Sequence, residues 1–450
     1  MAEGRRFFAP HAWIAGDWAR DVLLVAGADG AWSDVRVECD GAQGAEVLAG
    51  PILPGLVDGH SHAFQRAIAG LTERSAAGAD DFWSWRDRMY AAALRITPQQ
   101  LEAIAAFLYT ELLQAGYTHV CEFHYLHQDV DGRPYADPLE MSLALVRAAQ
   151  HAGIGLTLLP TLYMRSGFGA GGLREDQRRF ASTPEFVLRI AEKLRREGGP
   201  RLTCGIALHS TRAVDEGALR ETAAAARAAA MPVHLHIAEQ RAEIRECLAR
   251  HWQRPIEWLL EHVDLDARWS LVHATHGTVA ELQGLREAEA CIVLCPSTEA
   301  NLGDGVFDLG TWLELEGRWC IGSDSHVTRD WCEELRLLEY TQRLVLRQRN
   351  VAARAVGQES SGGALFGQAL AGGSGAAGLR LGGLAVGERA DFCLPDLQSP
   401  ALLGVPLPQL LDALVFSSPR APMARVCVAG RDVAFPREPE AFASAVQSLW

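Results

Sequence analysis

The segment PGLVDGHSH, residues 54–62, ends a short apolar run in two histidines. A strand alternates its faces, so His60 and His62 project to the same side and can hold one cation together. Three later segments share this grammar: PVHLHIAEQ (232–240), WSLVHATH (269–276) and WCIGSDSH (319–326). Each is a short apolar run closed by a metal-type ligand, and helical stretches fall between them. A third imidazole from His236 and the carboxylate of Asp324 complete a mostly nitrogen shell. Such a shell suits zinc or a neighbouring transition metal and leaves a position open for water. A single histidine at a strand end is usually a hydrogen-bonded core residue. Four such ends in one chain favour a metal site spread around a barrel.

Outward from these segments, strand-like and helical runs alternate over roughly 300 residues, the pattern of a parallel sheet with right-handed crossovers. Strands are expected near residues 52, 118, 154, 202, 232, 269, 290 and 319, enough to close a (β/α)8 TIM-like barrel whose reactive groups lie at the C-terminal strand ends. Residues 6–50, 382–397 and 421–433 read instead as short antiparallel strands with glycine turns. The two chain ends are therefore expected to pair into one small β-sandwich domain. The expected class is α/β, with residues 1–52 and 373–450 forming the sandwich and 53–372 the metal-dependent barrel. Two glycine-rich stretches, SGFGAGG (166–172) and AGGSGAAG (371–378), read as a mobile loop and a domain junction, or as plain surface loops.

The chain of 450 residues is long enough for a large core, and its formal net charge of -14, without a basic run, argues against a nucleic-acid partner. An acidic small molecule stays compatible, because a few arginines inside a pocket outweigh a diffuse negative surface. The N-terminal stretch MAEGRRFFAPHAWIAG has no continuous apolar core, and no run is long enough to span a bilayer, so a cytoplasmic protein without a membrane partner is expected. The ten cysteines occur without a CxxC pair, in mostly apolar contexts, and are expected to be reduced core residues. The expected metal shell therefore contains no thiolate.

Glu239 follows His236 by three residues and can reach the same pocket, where a carboxyl group could move a proton from water to a leaving nitrogen. His273, ending the sixth strand, is placed to hydrogen-bond the attacking or the developing oxygen. Asp324 can serve as both ligand and base. His276 and His326 lie beyond their strand ends, and spacing assigns them no partner.

The set GHSH, HLHIAE, LVHATH and GSDSH, in this order and over nearly the whole chain, resembles the amidohydrolase superfamily of metal-dependent barrels with a split β-sandwich. The resemblance implies that His60, His62, His236 and Asp324 bind a single zinc ion, with iron or manganese possible, and that Glu239, His273 and Asp324 handle the protons. It also implies a homodimer. Binuclear members carry a bridging lysine at the end of the fourth strand; GIALHSTRAV (205–214) has none, so one metal and a deaminase-type reaction are expected. Four longer strings resemble more narrowly the deiminases of linear amidines in that superfamily: GHSHAFQRAIAGL (59–71), DFWSWRDRMY (81–90), CEFHYLHQDVDGRPYADP (121–138) and ALHSTRAV (207–214). This implies hydrolysis of N-formimidoyl-L-glutamate to N-formyl-L-glutamate and ammonia in histidine degradation, with Gln65, Arg86, Tyr125, His209 and Arg212 on the substrate. Planar guanidinium groups suit a dicarboxylate, since each can pair with a carboxylate through two hydrogen bonds. The competing readings are deamination of a purine, pyrimidine or triazine ring, and a non-catalytic metal-binding barrel.

Overall fold

Eight parallel strands, each buried on both faces, follow one another around a barrel in the computed structural model, which describes residues 4–74, 82–436 and 438–450. They are Leu56–Ser61, Tyr117–His124, Gly155–Leu162, Ile206–Ser210, Val233–Ile237, Trp269–His273, Cys291–Leu294 and Arg318–Ile321. Helices connect them and cover the outside, so strand side chains meet apolar neighbours on both sides, as parallel sheets require. The helix Pro98–Ala115 shows how the sequence sets these connections. Thr97 and Gln100 form a reciprocal capping box, Pro98 opens the first turn, and Gly116 ends the helix at φ 96.

The barrel closes between its first and last strands through the backbone of the residues that carry the metal-type ligands. Asp324 N donates to His60 O at 2.9 Å, and His62 N donates to Asp324 O at 3.2 Å. Gly322 permits this approach, because a Cβ there would stand 2.7 Å from His60 Cβ. The carboxylate of Asp58, in the first strand, reinforces the seam by accepting from Ser323 N at 2.8 Å and Ser323 Oγ at 2.5 Å.

Both chain ends build a separate β layer. A four-stranded sheet comprises Arg6–Ile14, Asp17–Ala26, Trp32–Arg36 and Glu46–Val47, and a three-stranded sheet comprises Phe392–Pro395, Met423–Val428 and Arg431–Asp432. They share a core in which Phe7 meets Phe392 edge to face at 5.1 Å, beside buried Trp32. The first barrel strand starts at Leu56, not near 52. Ile52 and Leu53 are used by the sandwich, where Ile52 N donates to His11 O and Leu53 N to Cys393 O. The fourth strand is also displaced from the expected position: Leu202–Cys204 pairs only with the third strand, and Ile206–Ser210 enters the ring.

The glycine-rich stretch 371–378 is not a surface loop. Most of it is the end of a helix, Ser361–Ala377, that lies across the starts of the barrel strands. Its glycines serve close approach: a Cβ on Gly372 would stand 1.8 Å from Trp319 O, and one on Gly373 2.8 Å from Val57 Cβ. The last carbonyls of this helix are satisfied by barrel side chains, Ala377 O by Thr157 Oγ1 at 3.0 Å and Ala376 O by His234 Nε2 at 2.9 Å. All ten cysteines are free. Among the described residues, no helix is long and apolar enough to cross a membrane.

Close packing and helix propensity act in opposite directions along this helix. Gly372→Ala is expected to lower the unfolding free energy by about 1–3 kcal/mol through overpacking. Gly367→Ala, where a Cβ would meet nothing within 4 Å, is expected to raise it by about 0.5–1 kcal/mol. Urea unfolding of the two variants reads the opposite signs directly.

Candidate metal centre and substrate pocket

At the C-terminal mouth of the barrel, three imidazoles and one carboxylate converge. His60 Nε2 lies 3.1 Å from His62 Nε2 and 3.0 Å from His236 Nε2, and Asp324 Oδ1 lies 3.5 Å from both His60 Nε2 and His62 Nε2. All four side chains are buried. The Nδ1 atoms of His62 and His236 face the backbone carbonyls of Phe123 and His209, at 2.9 and 3.0 Å. Those bonds place the ring proton on Nδ1 and leave a lone pair on each Nε2. Burial holds all three histidines below their usual pKa, so they are neutral. A proton on His60 Nε2 could satisfy one of the two Nε2 contacts; a cation held by His60, His62, His236 and Asp324 would account for all of them. The donor set therefore fits a metal ion. Cys295 shares a second group of donor atoms with His273 and Asp324, but burial pushes its thiol well above the usual range and keeps it protonated.

The strand ends are bent to aim these groups inward. His273, Ala274 and Asp324 have φ of 71, 49 and 46, a left-handed conformation that side-chain-bearing residues adopt at a cost. His273 Nε2 is 3.8 Å from both Glu239 Oε1 and Asp324 Oδ2, and His273 Nδ1 is 3.3 Å from Glu299 Oε1. Burial opposes a charge on His273, but these three carboxylates outweigh it and raise its pKa. For Glu239 burial raises the pKa, and the charges of His273 and Arg212 pull against it. Neighbouring charge for His273 and burial for Glu239 thus raise the proton affinity of both, side by side at the mouth.

Gln65, Arg86, Tyr125, His209 and Arg212 border the same pocket, together with His62, His236, Glu239, His273 and Asp324. Gln65 Nε2 donates to Tyr125 Oη at 3.1 Å, while Gln65 Oε1 is buried without a partner among the described residues. Arg86 comes from the helix Phe82–Ala93; the Asp81 that opens the quoted string lies outside the described residues. Its guanidinium lies 4.4 Å from the Trp83 ring, and among the described residues Nε has no hydrogen bond and the ion pair is a 3.8 Å contact with Asp87, whose side chain is 64% exposed. The Arg212 guanidinium makes no hydrogen bond or ion pair among the described residues. Burial works against its charge, which Glu243 and Glu239 sustain from a distance. His209 is kept neutral by burial and by Arg212. His276 and His326 do not line this pocket; His326 is held behind the seam by Ser323 Oγ at 3.0 Å. A larger cleft, about 480 Å³, lies elsewhere, between the sandwich and the barrel, and has none of the converging donors.

Several supporting side chains carry no sequence signature. Glu299 accepts from Cys295 N and faces His273, Glu122 accepts from Ser61 Oγ and Ala63 N beside the histidine pair, and Tyr90 and Tyr163 line the pocket. Tyr163 immediately follows the third strand, and that position at a C-terminal strand end was the available clue.

Fold, donor set and the helix floor together define a metal-dependent hydrolase barrel, and the chain belongs to the amidohydrolase family, whose model matches residues 52–433. Among particular proteins, it is 47% identical over 427 residues to the formimidoylglutamate deiminase of Pseudomonas aeruginosa, covering 94% of this chain and 93% of that one. An amidohydrolase of Brucella melitensis superposes with a TM-score of 0.92 at 40% identity over 99% of each chain. A zinc-bound adenosine deaminase of Xanthomonas campestris, at 20% identity, shares the fold with a TM-score of 0.80 over 99% of this chain and 97% of that one.

His236→Ala removes one of the converging nitrogens and is expected to leave well under half a metal ion per chain after dialysis, with the far-ultraviolet circular dichroism unchanged. Full metal occupancy, read by elemental analysis, would exclude His236 from the ligand set.

Proposed function

We infer that this chain hydrolyses N-formimidoyl-L-glutamate to N-formyl-L-glutamate and ammonia, a step in histidine degradation. The observation that carries the reading is the placement of Arg86 and Arg212. Charged groups withdrawn from bulk water are normally paired, yet these two partly buried guanidiniums border the pocket, which His62, His236 and Asp324 also line, without a hydrogen-bonded carboxylate among the described residues. A dicarboxylate supplies the missing partners; a purine, pyrimidine or triazine ring does not. The 47% identity to a formimidoylglutamate deiminase supports the same choice.

In this reading His60, His62, His236 and Asp324 hold one zinc ion, whose nitrogen-rich preference they match, although iron or manganese could use the same donors. When bound, the metal supplies Lewis acidity that makes water nucleophilic near neutral pH. Arg86 and Arg212, with Gln65, Tyr125 and His209, grip the two carboxylates and present the formimidoyl carbon to that water. The formimidoyl group enters as its amidinium cation; as the C–O bond forms, Glu239 accepts a water proton and returns it to the terminal nitrogen, by then a neutral NH2, which leaves as ammonia. Asp324 accepts the remaining hydroxyl proton as the formyl C=O forms, and His273 donates a hydrogen bond to that oxygen. The C–N bond to glutamate is retained. The reading also includes a homodimer, for which exposed Leu344, Val345 and Leu346 offer an apolar contact, and a reducing cytoplasmic setting, in keeping with the free cysteines.

Product analysis tests the reaction. Ammonia with formylglutamate is expected; formamide with glutamate would show that the other C–N bond is cut. Glu239→Gln is expected to keep its metal and lose about a hundredfold or more in kcat, and near-normal turnover in metal-replete protein would remove its proton role. Arg212→Ala is expected to raise KM by about tenfold or more with a smaller change in kcat, and an unchanged KM would take it off the substrate.

A further inference from the structure

Tyr90, Tyr163 and Gln177 form a buried hydrogen-bond cluster at the edge of the pocket. Gln177 Oε1 accepts from Arg174 N at 3.0 Å, which fixes the amide orientation and turns Nε2 toward the phenols. Nε2 donates to Tyr163 Oη at 2.9 Å and to Tyr90 Oη at 3.3 Å, and the two phenol oxygens are 3.1 Å apart. Two phenol protons are present and only one can occupy the line between the oxygens. The other must point elsewhere, and no second acceptor stands within hydrogen-bond distance of either hydroxyl among the described residues. Tyr163 is nearer the amide donor. Either oxygen can donate across the 3.1 Å contact; where Tyr90 is the donor, Tyr163 accepts from both Gln177 and Tyr90 and its own proton is left for the pocket, which it shares with Arg86, His209 and Arg212. The Tyr163 ring packs at a tilt of 47° against His209, with centroids 4.1 Å apart.

We propose that Tyr163 is a specificity-determining residue whose hydroxyl, held by Gln177 and Tyr90, donates a hydrogen bond to one carboxylate of the dicarboxylate substrate. This rests on the substrate class proposed above. A phenol that already accepts two hydrogen bonds is a stronger donor, and its rigid ring presents the O–H at fixed reach. The cluster therefore adds a neutral donor to the two charged ones and helps set the length of acid that fits.

The test compares wild type and Tyr163→Phe on N-formimidoyl-L-glutamate and on two analogues, N-formimidoyl-4-aminobutyrate and N-formimidoyl-2-aminobutyrate, each lacking one carboxylate. The variant is expected to lose about tenfold in kcat/KM on the dicarboxylate, mostly through KM, and less than about twofold on the analogue that lacks the carboxylate bound by Tyr163. Tyr90→Phe, which leaves the Gln177 bond to Tyr163 in place, is expected to change kcat/KM by less than about threefold. An equal loss on all three substrates would mean a purely structural role and overturn the proposal, as would no loss on the dicarboxylate. A selective loss in Tyr90→Phe but not Tyr163→Phe would reverse the direction of the chain and overturn the assignment. Absence of wild-type turnover on N-formimidoyl-L-glutamate would instead defeat the substrate reading itself.

Discussion

The structure depends on the seam where the first and last barrel strands meet. His60 and His62 exchange backbone hydrogen bonds with Asp324, so the bonds that close the ring also set the spacing of three of the four converging donors. Asp58 locks the seam from the first strand through Ser323, and Gly322 allows the approach. Because burial pushes Asp58 up to about 7 and Glu122 up to about 8, the two carboxyls that support the histidine pair lie among the more costly groups in the barrel. Each is retained with several hydrogen bonds satisfied, which ties donor geometry to a polar network that tolerates little displacement.

Above the seam the pocket mixes charges. Glu239, Asp324 and the His273 ring line it together with the guanidiniums of Arg86 and Arg212, the Gln65 amide and the Tyr125 phenol, and Glu239 and Arg212 each sustain the other's charge. The left-handed backbone at His273 and Asp324 is local strain held by that framework.

The sequence made the barrel and its donors legible because both depend on local periodicity. HxH on a strand places two rings on one face wherever the strand sits, and the repeated apolar-run-then-ligand pattern marks strand ends without reference to contacts. Meaning was lost where one residue type serves two purposes. The glycines of 371–378 could indicate freedom or closeness, and only the Trp319 backbone and the Val57 side chain beneath them decide for closeness. Ile52 and Leu53 look like barrel residues because a sandwich strand is equally apolar. Gln177, Glu299 and Tyr90 had no local signature, since their partners are brought together from separate segments.

The seam also orders events in time. Residues near 60 leave the ribosome long before those near 324, and the helix floor that seats the strand starts ends later still, at Ala377. The first strand must therefore wait, with one edge unpaired, until most of the chain exists, and long-range closure of this kind is slow and exposes sticky surface meanwhile. A site whose donors straddle the seam cannot assemble before closure. Metal capture would thus act as a latch on the finished ring and stabilise the closed state in proportion to how tightly the ion is held.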